Sequence, residues 1–141
     1  MEARDLMLMD WVLHEGEPYQ IRQLGIYGVN RDGEDYPAVC VGKPKGINLI
    51  VERSEIEPIP LTSEILEKNG WVYNNEDEKF FPQTWVGGGL MLQGANDCGY
   101  CIVVTSDYDD EDTNDTPFII LYVHELQHAL MLRRIKKEII L

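Results

Sequence analysis

Disulfide-forming cysteine is scarce in this chain. Three cysteines in 141 residues are too few, and odd in number, for a disulfide framework. A chain this long buries about two thirds of the surface its unfolded form exposes, so it needs no such staples. No apolar run approaches the ~20 residues of a membrane-spanning helix. The start, Met1-Glu-Ala-Arg-Asp-Leu6, has no basic stretch leading into an apolar core, so no secretory leader is expected and the expected location is cytoplasmic. Positive charge is short as well: 12 Lys and Arg stand against 25 Asp and Glu, a formal net charge of −13. That field repels phosphate backbones, so direct nucleic-acid binding is not expected. The bases cluster only in Arg133-Arg134-Ile135-Lys136-Lys137, where cations complement the C-terminal end of a helix dipole. No membrane partner is expected, and no repeat or low-complexity tract is present.

What the chain does contain is a series of short apolar runs. Met7, Met9, Trp11 and Leu13 alternate, and Glu15-Gly16-Glu17-Pro18 reads as a turn. Tyr19 and Ile21 resume the alternation toward Ile26, Tyr27 and Val29, followed by the turn Asn30-Arg-Asp-Gly33. Ala38–Val41, the break Gly42–Gly46 and Ile47–Val51 complete four or five strands. Strands at this spacing predict a small, SH3-like β-barrel over residues 1–58. Glu57-Pro58-Ile59-Pro60 reads as a stiff connector.

The expected second module covers residues 59–141, although the two halves could also form one cooperative unit. Thr62 reads as an N-cap with Glu64 in the first turn, and Asn69-Gly70 as the helix end. Trp71–Tyr73 and Phe80-Phe81 predict a hairpin around Asn74–Lys79. Trp85–Gln93, Cys101–Thr105 and Phe118–Val123 add strand-like runs, and residues 124–137 predict a C-terminal helix. The fold class expected is α+β: a small barrel, then a mainly antiparallel sheet with a short helix and a C-terminal helix.

The most conspicuous chemical motif is His124-Glu-Leu-Gln-His128, which spells H-E-x-x-H. On a helix its two imidazoles lie one turn apart and could share zinc, with Glu125 as general base. The context is poor. The next residues, Ala129-Leu-Met-Leu132, carry no further histidine; Glu138 is the only possible ligand downstream, and His14 is the only other histidine. Cys98-Gly-Tyr-Cys101 followed by the histidine pair also has the order of a structural Cys2His2 zinc site, although residues 102–123 intervene and Cys101 would need a knuckle at Gly99. As a redox pair, Cys98 and Cys101 stand before a strand instead of opening a helix.

Other features carry less. The acidic run Asp107–Asp115 fails the calcium-loop pattern, since a start at Asp107 puts Asp112 where glycine is required and Phe118 where glutamate is required. Gly87-Gly88-Gly89 lacks the remainder of a dinucleotide fingerprint and reads as a bulge or close approach. No nucleophile motif of the Gly-x-Ser-x-Gly type occurs. Trp71, Tyr73 and Trp85 could form an exposed patch but read better as core. No catalytic or cofactor-binding residue is assigned, and His124, His128, Cys98 and Cys101 are the metal candidates.

Glu55-Ile-Glu-Pro-Ile-Pro-Leu-Thr-Ser-Glu-Ile-Leu-Glu-Lys-Asn-Gly-Trp71 and Tyr122-Val-His-Glu-Leu-Gln-His-Ala-Leu130 resemble a group of small proteins of Bacteroidetes and their phages or mobile elements. That group pairs a strand-rich start with a P-I-P-L-T helix entry and a Y-V-H-x-L-Q helix, and it has no established activity to carry over. In its pattern the position of Glu125 is usually Gln and that of His128 usually Asn. The resemblance thus implies that H-E-x-x-H is accidental here. It favours a non-catalytic interaction module with a protein partner, with metal binding through His124 and His128 as the alternative.

Overall fold

The computed structural model describes residues 5–74, 84–87, 90–94, 99–103 and 119–141. Its class is α+β, in two compact units, Met1–Ile59 and Pro60–Leu141.

The first unit is a meander of β1 (Trp11–His14), β2 (Glu17–Val29), β3 (Asp35–Gly42) and β4 (Asn48–Glu52). A single 3-10 turn at Arg53–Glu55 then leads to β5 (Ile56–Pro58), which returns to pair with β1. The sheet order is β4-β3-β2-β1-β5, antiparallel throughout. The sheet is not closed: β4 and β5 are its two edges. Glu57-Pro58, expected as connector, is therefore strand. Pro58 is tolerated because an edge strand needs only one of its sides for the ladder.

The first two turns of the meander have local causes. Glu15 (φ 51°) and Gly16 (φ 77°) join β1 to β2 in a two-residue loop whose paired positive φ angles suit the strand twist. Between β2 and β3, the Asn30 side chain accepts from the backbone N–H of Asp32 and of Glu34, each at 2.9 Å. The register of β2 on β3 shifts between Ile21 and Gln23 and again between Gln23 and Ile26, beside Gly25 at φ 70°. Such irregularities bend a long strand.

The expected alternation from Met7 does not hold. Met9 takes φ 72°, and the preceding residues form a turn in which the buried Asp10 carboxylate accepts from Met7 N–H at 2.7 Å. That turn resets the register, so β1 begins at Trp11 and sends Val12 into the core. Leu6, Val12, Ile21, Val39, Val41, Val51 and Ile56 form this core, with Tyr19, Leu24 and Leu49 at its margin.

In the second unit α1 (Ser63–Lys68) begins where Thr62 Oγ1 accepts from Ile65 N–H at 3.4 Å. It ends in a Schellman motif: Trp71 N–H bonds Leu66 C=O, Gly70 N–H bonds Glu67 C=O, and Gly70 takes φ 83°. The second sheet is antiparallel, ordered β10-β9-β8-β7-β6, from β6 (Val72–Asn74), β7 (Thr84–Gly87), β8 (Leu90–Gly94), β9 (Tyr100–Val103) and β10 (Ile119–Ile120). The partner of β6 is β7, with Tyr73 opposite Trp85, instead of Phe80-Phe81. Phe80 and Phe81, Gly88 and Gly89, and the acidic run Asp107–Asp115 lie outside the described residues.

The C-terminal helix α2 (Val123–Leu132) stops five residues short of expectation. Arg134 adopts φ 58° and a second Schellman motif closes the helix, Arg134 N–H to Met131 C=O and Ile135 N–H to Leu130 C=O. The basic cluster therefore begins at the cap instead of filling the last turn. Val123, Leu126 and Leu130 are buried along one face, as the i, i+3, i+7 spacing requires.

Candidate functional site

The start of α2 carries the sequence motif. Val123 and Leu126 anchor this turn, which buries His124 and leaves His128 half-buried one turn on. The two imidazole rings are 5.6 Å apart at 72°, edge to face. His124 also stacks on Tyr122, with centroids 5.7 Å apart and planes within 10°. Glu125 is engaged elsewhere. Its Oε2 accepts from Leu121 N–H at 2.7 Å and from Tyr122 N–H at 3.1 Å. Tyr122, the N-cap, supplies one of the donors that a helix N-terminus leaves without an intrahelical partner, and Leu121 is the residue before it. The carboxylate that a hydrolase would use as general base thus closes the helix end.

The other metal candidates are only partly placed. Cys98 lies outside the described residues, and Cys101 lies on β9 with its Cα opposite Ile119 of β10. Gly99 between them has φ 92°, and a Cβ there would lie 2.5 Å from Ile120 C=O. Only glycine fits that conformation at that approach. His14 belongs to the first unit, where its ring stacks edge-on to Tyr19 and its Nδ1 lies 3.4 Å from Glu55 O. Glu138 is exposed beyond the end of α2. Among the described residues, no three His, Cys, Asp or Glu side chains are grouped closely enough to hold a metal ion.

Of the aromatic patch considered from sequence, Trp71 is buried with Lys137 Nζ 5.2 Å above its ring, whereas Tyr73 is exposed. Near α1, backbone and Thr62 hydrogen bonds hold the Glu64 carboxyl below its ordinary value, and burial pushes the Tyr100 phenol up, with Glu64 adding to that shift.

A different feature stands out in the first unit. Tyr27, Val29, Ile47 and Ile50 are 72%, 64%, 79% and 65% exposed on or beside β2–β4. Val29, Tyr36 and Ile50 share an open cleft of about 530 Å³. Four carboxylates, Glu34, Asp35, Glu52 and Glu55, also line it, against the single cation Arg31. Gly28 makes the cleft's aromatic wall possible. It pairs with Tyr36 across the ladder, and the Tyr36 ring occupies the space a Cβ on Gly28 would need. Below, Glu55 Oε2 accepts from Glu52 N–H at 3.1 Å, which fixes the 3-10 turn against the end of β4. Sequence reasoning placed these strands but did not find the cleft, because it is assembled from residues paired across the sheet. The available signal was weak: apolar Val29 and Ile50 on strands whose neighbours are acidic.

No helix among the described residues is long and apolar enough to cross a membrane. Compared with known protein families, with curated proteins and with solved structures, the chain matches none.

Proposed function

We propose that this protein is a non-catalytic interaction module whose first unit is an SH3-like, partly open barrel that binds a protein partner. The carrying observation is that Tyr27, Val29, Ile47 and Ile50 are exposed on or beside one sheet and that two of them, Val29 and Ile50, line an acidic cleft. Exposed apolar groups rimmed by charge mark interaction sites. The barrel reading is supported by the order β4-β3-β2-β1-β5, by the 3-10 turn before β5, and by the irregularities that bend β2. The capping role of Glu125 favours the non-catalytic reading. The resemblance supports a setting among Bacteroidetes and their phages or mobile elements. The test is photo-crosslinking from positions 27, 29, 47 and 50 in lysate of the source cells, with exposed Leu132 as control position. A discrete adduct from the four and none from position 132 is expected. Equal labelling at every position, or none, overturns the reading.

A second reading, a structural zinc held by Cys98, Cys101, His124 and His128, is favoured by the adjacent histidine rings and by Gly99 at φ 92°. A left-handed glycine between two cysteines permits the tight turn that brings both thiolates to one ion. Metal analysis of protein purified without chelator tests it. One zinc per chain, lost in His128→Asn, supports the site; no stoichiometric metal in the parent protein removes it.

A further inference from the structure

The two edges of the first sheet are unequal. β5 is three residues long and ends in Pro58, whose nitrogen carries no hydrogen to donate. β4 is five residues long, contains no proline, and pairs only with β3 among the described residues. Alternate residues of such a strand aim N–H and C=O groups away from the sheet, a ready template for another strand. Natural edges are commonly blunted by proline, by bulges or by inward charges. β4 carries no proline, bulge or inward charge; Glu55 Oε2 takes the N–H of Glu52 at its end, and Asn48–Val51 remain, with Ile50 exposed. The acidic cleft adjoins this edge, since Ile50, Val51 and Glu52 of β4 line it.

We infer that β4 receives one extended, basic segment of a partner protein, which adds to the sheet as a strand beside Asn48–Val51 and lays cationic side chains into the acidic cleft. This inference rests on the interaction-module reading above and names its partner's chemistry. Strand addition supplies the main-chain hydrogen bonds, and the alternating side chains supply specificity. Charge selects the occupant. The cleft offers four carboxylates against one guanidinium, and the whole chain carries −13. A second copy bringing the same surface would face like charge, whereas an Arg- or Lys-rich strand is drawn in.

Full-length, nitrogen-15-labelled protein titrated with the blocked peptide Arg-Val-Arg-Val-Arg-Val-Arg tests this directly. The expected result is a set of amide shifts centred on Asn48–Val51. Replacing the central valine by proline keeps the charge and breaks the strand, and should weaken binding about tenfold. Replacing every arginine by glutamate should weaken it at least as much. Ile50→Lys in the protein, at an exposed position that leaves the core intact, should also cost about tenfold. Equal binding of the valine and proline peptides means that charge alone acts and overturns strand addition. No binding of any basic peptide overturns the inference, while the interaction reading itself is decided separately by the crosslinking above. A concentration-dependent dimer dispersed by Ile50→Lys assigns the edge to a second copy and likewise overturns it.

Discussion

The side-chain amide of Asn69 holds both backbone groups of Ile140. Its Nδ2 donates to Ile140 O at 2.8 Å, and its Oδ1 accepts from Ile140 N at 2.7 Å. A third bond, Nδ2 to Ile65 O at 2.8 Å, fixes the amide at the end of α1. One buried side chain therefore acts as a strand-like partner for the C-terminal segment, with Ile139 buried beside it.

Asn69→Ala removes these bonds and should cost about 2 kcal/mol, since a net hydrogen bond is worth roughly 1 and orphaned partners add to that. Urea denaturation measures it. Tryptic cleavage after Lys136 or Lys137 should accelerate in parallel. An unchanged midpoint would mean that water replaces the amide without loss.

Glu125 is a capping residue, so its substitutions separate structure from chemistry. Glu125→Ala should cost about 1 kcal/mol, as loss of a helix cap does. Glu125→Gln keeps an acceptor and should cost less than half of that. Thermal denaturation of the pair checks the order. A zinc hydrolase would differ in activity and not in stability, its glutamine variant losing peptide hydrolysis while staying folded.

Arg134 sits in the left-handed position that glycine prefers at a helix end. Arg134→Gly should raise stability by about 0.5–1 kcal/mol, because the conformational penalty of a side chain there disappears. A higher thermal midpoint with an unchanged denaturant slope is the expected result. A lower midpoint would show that the Arg134 side chain contributes more than its strain removes.

The exposed pair of Lys43 Nζ and Glu17 Oε2, 2.7 Å apart, gives a pH prediction. Hydrogen bonding and charge from Lys43 lower the Glu17 carboxyl from its ordinary 4.5, and the hydrogen bond to Glu17 raises the Lys43 amine from its ordinary 10.5. The glutamate contribution is present above 4.5 and fades as pH falls through the lowered value. The lysine contribution is present below 10.5 and fades as pH rises through the raised one. Lys43→Met should therefore flatten the stability profile at both ends. Both side chains are exposed, so the effect should be small and should shrink further in high salt.

These sites also show what the sequence makes legible. The α1 boundaries could be read because Thr62 and Asn69-Gly70 are residue types that caps demand, and each performs that role locally. The end of α2 could not, because Arg134 holds a glycine conformation without being glycine. Met9 hid the start of β1 for the same reason. At the motif, H-E-x-x-H names the residues but not their engagement. Tyr122 stands where a capping box would show Ser or Thr, so nothing in the pattern announces that Glu125 turns back on the helix end. The cleft was least legible of all. Val29, Tyr36 and Ile50 come together only through the β2–β3–β4 register, and Tyr36 has room there only because Gly28 faces it.

Pro58 on β5 limits assembly as well as pairing. A sheet that could add strands at both edges would propagate, each newcomer presenting the next template, as fibrils do. With β5 short and proline-ended, a second copy of the chain docked on β4 would offer no equally open edge of its own first sheet except the one already used. Even two chains meeting β4 to β4 would make a closed pair with proline-bearing strands outermost. Among the described residues, the first sheet thus leaves one extended edge open to pairing and not two.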